Sequence, residues 1–370
     1  MVVRECVGGQ WSRRSLLAVL GGFSLCAFGD QGAVYPPEIE QYLDPATEFP
    51  VVRLTNPAFS SYLPLPGSPA VGRGNDFLIY SSDRAGAWQA FRMDFKTGES
   101  RMLTAAAEFD RETLCLQNDE RGICYFDGRS LRQTLLPSLR ARELYRVPDG
   151  WTRGQRLSLA IDSLHAAFVE TREKVFRLRL LTLANGAAAT LAEGEAPLDA
   201  PAVRRGRASV LYRRGQGELW LVNYDGRQNR RLKTAPGRAG PAIWSADGRS
   251  FYYLLIPEEP GKLSEIREHV PDANSDLLIS ATSQFATFTP NRDGSVFVGA
   301  SSSKASPYVL ILLRVTHREL TLAEHRSTDP VSVSPVFSNN SQRVYFGSDR
   351  HGKPAIYMML LDRFVEKTET

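Results

Sequence analysis

The sequence predicts an all-β protein, a seven-bladed β-propeller built from four-stranded blades. Short apolar segments, bounded by Asn, Asp, Gly and Pro, recur along the 370 residues and are typical of strands joined by hairpins. The clearest unit, residues 334–362, contains three such strands and two turns. Its Asp349 corresponds to Asp83 in an equivalent phrase 266 residues earlier, which is six intervals of about 44. That period, with four strands per unit, is typical of a propeller blade.

Seven copies of this unit follow one another along the chain. They begin near residues 68, 113, 157, 200, 241, 287 and 334. The last copy lacks a fourth strand, whereas the stretch PVVRLT at residues 50–55 resembles the fourth strands of other copies and has no blade of its own. We therefore expect the N-terminal strand 50–55 to complete the seventh blade and close the ring, which removes exposed sheet edges. The alternative, an edge strand in a sandwich, fits seven equal repeats poorly.

The fifth copy carries one long insertion between its second and third strands. Residues 257–274 are polar and Pro-rich, and they contain His269. Loops of this length are usually functional or mobile.

The first 29 residues differ from the rest of the chain. Arg13 and Arg14 precede an apolar run that is too short to span a bilayer, and small residues follow at 27–29. This pattern predicts an export signal of the twin-arginine type and a periplasmic or secreted protein. A membrane anchor, an internal helix and a lipoprotein cysteine at Cys26 are the alternatives. The predicted organisation is a signal at 1–29, a lead-in segment at 30–49, a propeller at 50–362 and a polar tail at 363–370.

Composition and charge exclude some partners. The chain is 42% apolar and 23% charged, which is ordinary for a globular protein. Its formal charge of +4 becomes +4 − 3 + 1 = +2 when residues 1–29 are removed, too small to indicate nucleic-acid binding. Beyond residue 29 only Cys115 and Cys124 remain. We expect them to be cross-strand neighbours and free buried thiols, because directly opposed strand positions strain a disulfide.

Several segments resemble the oligogalacturonate lyase family. These are GSDRHGKPAIY at 347–357, DGRSL at 127–131 and WSADG at 244–248, and the similarity covers residues 38–361. The first of them also recurs in TolB-like propellers. The resemblance implies a seven-bladed propeller that degrades short anionic pectin fragments by β-elimination, in which a base removes a proton and manganese, held by three histidines and a glutamine, stabilises the negative charge.

This chain differs from the family where that chemistry lies. The family's fifth-blade histidine, near its proposed base, corresponds here to Pro241, and its sixth-blade histidine corresponds to Thr287. The two histidines of its His-Pro-His segment correspond to Ser332 and Ser334, and an arginine of its fourth blade corresponds to Glu218. None of the five histidines forms a pair at metal-binding spacing. We therefore carry over no metal ligand or catalytic base, and no cofactor is expected although the family implies manganese.

The loops that join second to third strands open on one face of a propeller, and here they are rich in arginine. Such a ring would bind carboxylates through the two-pronged guanidinium geometry, and a tryptophan would stack on a sugar. The predicted ligand-binding residues are Arg84, Trp88, Arg213, Arg214, Arg350, His351 and Lys353. The alternative is that these hairpins are charged because they are solvated.

These observations predict an exported, oligogalacturonate-lyase-like propeller that binds acidic oligosaccharides and is related to pectin catabolism. Two alternatives remain: an active lyase that uses rearranged residues, and a TolB-like propeller that binds a protein partner. Whether the chain is an enzyme is left open. We expect no nucleic-acid partner, no membrane span after the signal, and a monomer or small oligomer.

Overall fold

The computed structural model describes residues 30–259 and 261–361. The predicted export signal and polar tail lie outside the described residues. Two short 3-10 helices, Arg111–Thr113 and Pro330–Val333, accompany thirty strands. No helix in the described part of the chain is long and apolar enough to cross a membrane.

The strands of the first three blades, with those of the lead-in segment, occupy residues 34–194. They are β1 (Val34–Tyr35), β2 (Glu40–Leu43), β3 (Pro50–Arg53), β4 (Ser61–Tyr62), β5 (Phe77–Ser82), β6 (Gln89–Asp94), β7 (Ser100–Met102), β8 (Cys115–Leu116), β9 (Gly122–Asp127), β10 (Ser130–Leu135), β11 (Ala141–Arg146), β12 (Thr152–Leu159), β13 (His165–Arg172), β14 (Val175–Thr182) and β15 (Ala188–Gly194).

The strands of the last four blades occupy residues 198–360. They are β16 (Leu198–Val203), β17 (Ser209–Arg214), β18 (Glu218–Asn223), β19 (Arg230–Arg231), β20 (Arg238–Trp244), β21 (Phe251–Ile256), β22 (Glu265–Val270), β23 (Ser275–Ala281), β24 (Phe285–Pro290), β25 (Val296–Ser301), β26 (Tyr308–Leu313), β27 (Arg318–Glu324), β28 (Val336–Phe337), β29 (Arg343–Ser348) and β30 (Ala355–Leu360).

These strands form seven antiparallel sheets, each of four or five strands, and the predicted propeller is confirmed. In five of these sheets the strand order follows the sequence, whereas β1 joins the sheet of the first blade and β2 and β3 join that of the seventh. The first strands of the blades line a central channel. Seven apolar clusters fill the spaces between neighbouring blades in the described residues, one cluster for each pair of blades. Burial of these faces against each other holds the ring together.

The predicted ring closure is also confirmed. Strand β3 pairs antiparallel with β30, with Val52 opposite Met358 and Arg53 opposite Tyr357. The lead-in segment adds more than we expected, because β2 extends the seventh blade outside β3 and β1 extends the first blade outside β7. The N-terminal segment therefore contributes strands to two adjacent blades and covers their outer edges.

Three details differ from the expectation or refine it. The fifth-blade insertion is shorter than expected, because β22 begins at Glu265 and contains His269 as a strand residue. The inner edge of the first blade is interrupted: Ser61–Tyr62 and a separate bridge between Val71 and Leu78 flank a proline-rich loop. Cys115 and Cys124 are opposite each other across β8 and β9, as expected, and both are free and buried.

Candidate ligand-binding channel

One backbone hydrogen bond recurs at every inner turn and allows the seven blades to be aligned residue by residue. The N–H of the turn's first residue donates to the carbonyl five residues later, as Ala160 does to His165 at 2.9 Å and Ser245 does to Ser250 at 2.9 Å. We define the front layer as the residues four positions before these donors. It consists of Ser68, Thr113, Arg156, Ala200, Pro241, Thr287 and Ser334. The back layer consists of the residues one position after them: Arg73, Asn118, Ile161, Arg205, Ala246, Arg292 and Asn339.

The front layer contains three of the positions that the resemblance assigns to the family's base and metal ligands: Pro241, Thr287 and Ser334. Arg156 is the single charged residue of the layer. The Thr287 side chain is fully buried, and its Oγ1 forms no hydrogen bond within the described structure. The Ser334 hydroxyl donates to the Val331 carbonyl at 3.4 Å.

Manganese does not fit these residues. Ser332 also corresponds to one of the family's histidines, and its hydroxyl donates to the Asp329 carbonyl at 2.7 Å. No group of three His, Cys, Asp or Glu side chains that could hold a metal occurs among residues 30–259 and 261–361. Neutral hydroxyls without carboxylate or imidazole partners are poor ligands for a transition metal.

The backbone of the front layer is irregular. Strands β12, β16, β20 and β24 all shift register against their neighbours at or next to this layer. Bulges of this kind re-aim side chains and are common beside functional sites. Ala200 and Ser334 also have positive φ angles of 48° and 41°, which are uncommon for residues other than glycine. Such strain clusters at ligand sites, so the front layer is the best candidate for one.

A cavity of about 330 Å³ opens at this layer. Arg156, Arg213, Arg238 and the back-layer residue Arg205 line it together with apolar side chains such as Ile243. Its volume falls within the range of small-molecule sites, which combine apolar walls with a few charged groups.

Arg156 is the most unusual of these arginines. In the described structure its guanidinium has no ion pair or hydrogen bond, and its side chain is half-buried. Burial lowers its pKa, and the charge of neighbouring Arg213 lowers it further, whereas the Asp199 and Glu112 carboxylates oppose the effect. A desolvated cation without a partner is a candidate anion-binding group.

Arg213 and Arg214 are adjacent in β17 and therefore point to opposite sides of the sheet. The Arg213 guanidinium donates two hydrogen bonds of 2.7 Å to Asp199 and lines the cavity. The Arg214 guanidinium instead lies 4.8 Å from the ring centre of Trp220. The structure thus brings only Arg213 of this pair to the channel.

Arg84 and Trp88 contact the protein's own side chains. Arg84 donates two hydrogen bonds to Glu38, at 2.9 and 3.0 Å, and only 7% of its side chain is exposed. Trp88 packs against Tyr62 with ring centres 5.7 Å apart, and Arg111 lies 3.7 Å above the Tyr62 ring. The Arg84 guanidinium is therefore already paired with a carboxylate of the protein. Trp88 belongs to a cluster with Tyr62 and Arg111 beside the second blade.

The three predicted residues of the last hairpin lie at the outer part of the ring. Arg350 donates to the Asp44 carboxylate at 2.6 Å and to the Tyr42 hydroxyl at 2.9 Å, with only 4% of its side chain exposed. His351 Nδ1 lies 3.0 Å from the Tyr357 hydroxyl. Lys353 is exposed and lies 3.8 Å from an Asp83 oxygen. Among the seven predicted residues, Arg213 alone lines the front cavity.

The sequence analysis missed Arg156, Arg205 and Arg238. Aligning the repeats on their inner turns would have found Arg156, because it lies four residues before the turn in the third copy, where the fifth copy has Pro241. Arg205 would have emerged from the same alignment one residue after the turn.

Comparisons with known proteins agree with this fold. No family model matches the chain. The sequence is 22% identical over 379 residues to an oligogalacturonide lyase of Pectobacterium atrosepticum, an alignment that covers 89% of this chain and 97% of the relative. It is 21% identical over 368 residues to an oligogalacturonate lyase of Dickeya dadantii, with 86% and 94% coverage. The chain is a homologue of the oligogalacturonate lyases.

A solved structure of an oligogalacturonate lyase in complex with manganese shares the fold. Its TM-score is 0.85 at 22% identity, over 90% of this chain and 99% of that one. The oligogalacturonate-lyase fold thus extends over nearly the whole of the described chain, including the strand that closes the ring.

Proposed function

We propose that this oligogalacturonate-lyase homologue binds short oligogalacturonates in the front cavity, with the Arg156 guanidinium as the principal ligand of a uronate carboxylate. The observation that carries the proposal is that Arg156 is the one charged residue of the front layer and forms no ion pair within the described residues. A guanidinium and a carboxylate match in a two-pronged geometry, and the pairing would relieve the cost of desolvating the cation.

Arg213 and Arg238 support this role at the same cavity. Arg213 is held in place by its paired hydrogen bonds to Asp199, so its position is fixed before a ligand arrives. Arg238 is exposed at the start of β20 and is free to contact a second sugar unit. Four arginines line the cavity and two carboxylates, Asp199 and Glu112, lie near Arg156, which leaves a positive potential that attracts anions.

The proposal does not include manganese-dependent elimination. At the position of the family's fifth-blade histidine, near its proposed base, this chain has Pro241, which has no titratable group, and the hydroxyls of Thr287, Ser332 and Ser334 do not form a metal site. Lyase activity by rearranged residues is a second candidate, because the relatives that align along nearly their whole length are named as lyases.

Calorimetry tests the proposal. Di- and trigalacturonate would be titrated into the full chain and into the R156Q variant. Loss of a hydrogen-bonded charge pair typically costs about 1.5–3 kcal/mol, so R156Q is expected to weaken binding by about 10- to 100-fold. Ultraviolet absorbance of the unsaturated product, followed in the same samples with and without manganese, would report elimination.

R214Q is the matched control. It removes the same charge from the neighbouring fourth blade, but the Arg214 side chain packs on Trp220 away from the cavity, so the affinity of R214Q should stay within about twofold of the unaltered chain. Equal affinities for R156Q and the unaltered chain would contradict the proposal.

We further propose that the chain is exported. The support is the sequence pattern of residues 1–29, with adjacent Arg13 and Arg14 before an apolar run.

A further inference from the structure

The far end of the channel carries a second ring of positive charge. All seven back-layer residues line one cavity of about 460 Å³. Three of them are arginines, Arg73, Arg205 and Arg292, from the first, fourth and sixth blades. The front layer, by comparison, contains one.

Arg205 differs sharply from its neighbour in sequence. Arg204 is buried and donates to both oxygens of Asp272, at 3.2 and 3.0 Å, and to the Gly248 carbonyl at 2.7 Å. Arg205 is half-buried and has no ion pair or hydrogen bond from its guanidinium in the described structure. Its pKa is lowered by burial alone. The fold thus provides hydrogen-bond partners for Arg204 and leaves Arg205 desolvated beside the cavity. A desolvated cation without a partner lowers stability unless a ligand binds to it.

Within the described residues, the acids near this ring form no ion pair with its arginines. Glu120 also lines the cavity, but the bond that it makes is with the backbone N–H of Arg73 rather than with a guanidinium. Asp293, beside Arg292, accepts hydrogen bonds from the Ser295 N–H and hydroxyl. Arg73 and Arg292 are exposed, and neither has an ion pair within the described residues.

The front and back cavities are parts of one channel. The loop at residues 65–69, Arg205 and Trp244 line both of them. Front-layer and back-layer residues are five positions apart in each blade, so they are separated by at most about 17 Å, the length of five extended residues. Arg156 lines the front cavity alone, Arg205 lines both cavities, and Arg73 and Arg292 line the back cavity alone, so the arginines are distributed along the channel.

We infer that the back layer binds a second carboxylate of an oligogalacturonate whose first carboxylate lies at Arg156. This inference rests on the proposed function and narrows its ligand class. The ligand is a linear oligouronate long enough to reach from the front layer to the back layer, and its affinity should rise with chain length until Arg205 and Arg292 are reached.

Calorimetry with a series of ligand lengths tests this inference. Galacturonate and its di-, tri- and tetramers would be titrated into the full chain, R205Q and R292Q. The measured quantity is the ratio of the affinity for the tetramer to the affinity for the monomer. We expect each substitution to lower this ratio by about tenfold, because each removes one charged hydrogen bond that only longer ligands make.

R207Q is the matched control, because Arg207 lies on the same turn as Arg205 but its ion pair is with Asp272 at 2.8 Å. Its ratio should equal that of the unaltered chain. Unchanged ratios in both R205Q and R292Q, with the unaltered chain still binding uronates, would overturn the back site and leave the front site standing. An equal loss in R207Q would also overturn it, because the effect would then be one of net charge. A chain that binds no uronate at all would remove the proposed function as well.

Discussion

Arg350 is predicted to stabilise the ring and not to bind the ligand, and the variant R350Q separates the two roles. The guanidinium connects the last hairpin to the lead-in segment through Asp44, whose side chain is fully buried, and to Glu324 of the sixth blade at 3.4 Å. Arg350 therefore joins three parts of the chain that are distant in sequence, at the place where the ring closes.

The loss of stability expected in R350Q depends on the hydrogen bonds that the Asp44 carboxylate keeps. Breaking a buried ion pair by removing one partner typically costs about 3–5 kcal/mol. In R350Q the Asp44 carboxylate still accepts hydrogen bonds from the backbone N–H groups of Ala46, Thr47 and Glu324 at 3.1–3.2 Å. Because these contacts remain, we expect a loss near the lower end of that range, about 3 kcal/mol in the free energy of unfolding.

Urea unfolding of the full chain measures this loss. K353Q is the control from the same hairpin, since Lys353 is 56% exposed and its contact with Asp83 is 3.8 Å long; it should change stability by less than about 1 kcal/mol. The affinity of R350Q for trigalacturonate should stay within about twofold of the unaltered chain. Unaltered stability together with weakened sugar binding would refute this account and place Arg350 in the ligand site.

Two further predictions concern pH and export. Burial lowers the pKa of His269 in the folded chain. Below a pH of about 6.5 the imidazole therefore binds a proton in the unfolded chain but not in the folded one, and the free energy of unfolding falls as pH decreases. H269F keeps the stacking on Phe251 and should reduce the slope of unfolding free energy between pH 7 and 5 by up to about 1.4 kcal/mol per unit; an unchanged slope would contradict this. A reporter fused to residues 1–29 should reach the periplasm and be retained inside the cell in the double variant R13K/R14K, whereas retention with the unaltered segment would contradict export.

The fold was predictable from the sequence because its information is local and repeated. Each blade has its own turn residues and its own alternation of apolar residues. The stretch at 50–55 had no blade of its own, and the seventh copy was the one that lacked a fourth strand. The two-residue strand Val34–Tyr35 and the strand Glu40–Leu43 were not predicted, because both are short, largely exposed segments with little periodicity. The partner of Val34–Tyr35 is also distant in sequence, since this strand pairs with β7.

The site was less predictable, because a charged loop residue and a paired one look alike in sequence. Arg84 and Arg350 appeared available for a ligand, yet their carboxylate partners lie 46 and 306 residues away. Arg156, in contrast, lies in an inner strand that the repeat pattern marked only as structural. Its significance depends on a bulge and on the absence of a partner within the described structure, which are both properties of the assembled ring.

A crystal structure of the chain with trigalacturonate would test the central claim most directly. The account predicts a uronate carboxylate in the front cavity with its oxygens about 2.7–3.0 Å from the Arg156 guanidinium nitrogens. A trisaccharide bound instead on the outer hairpins, with Arg156 still free of any carboxylate, would contradict it.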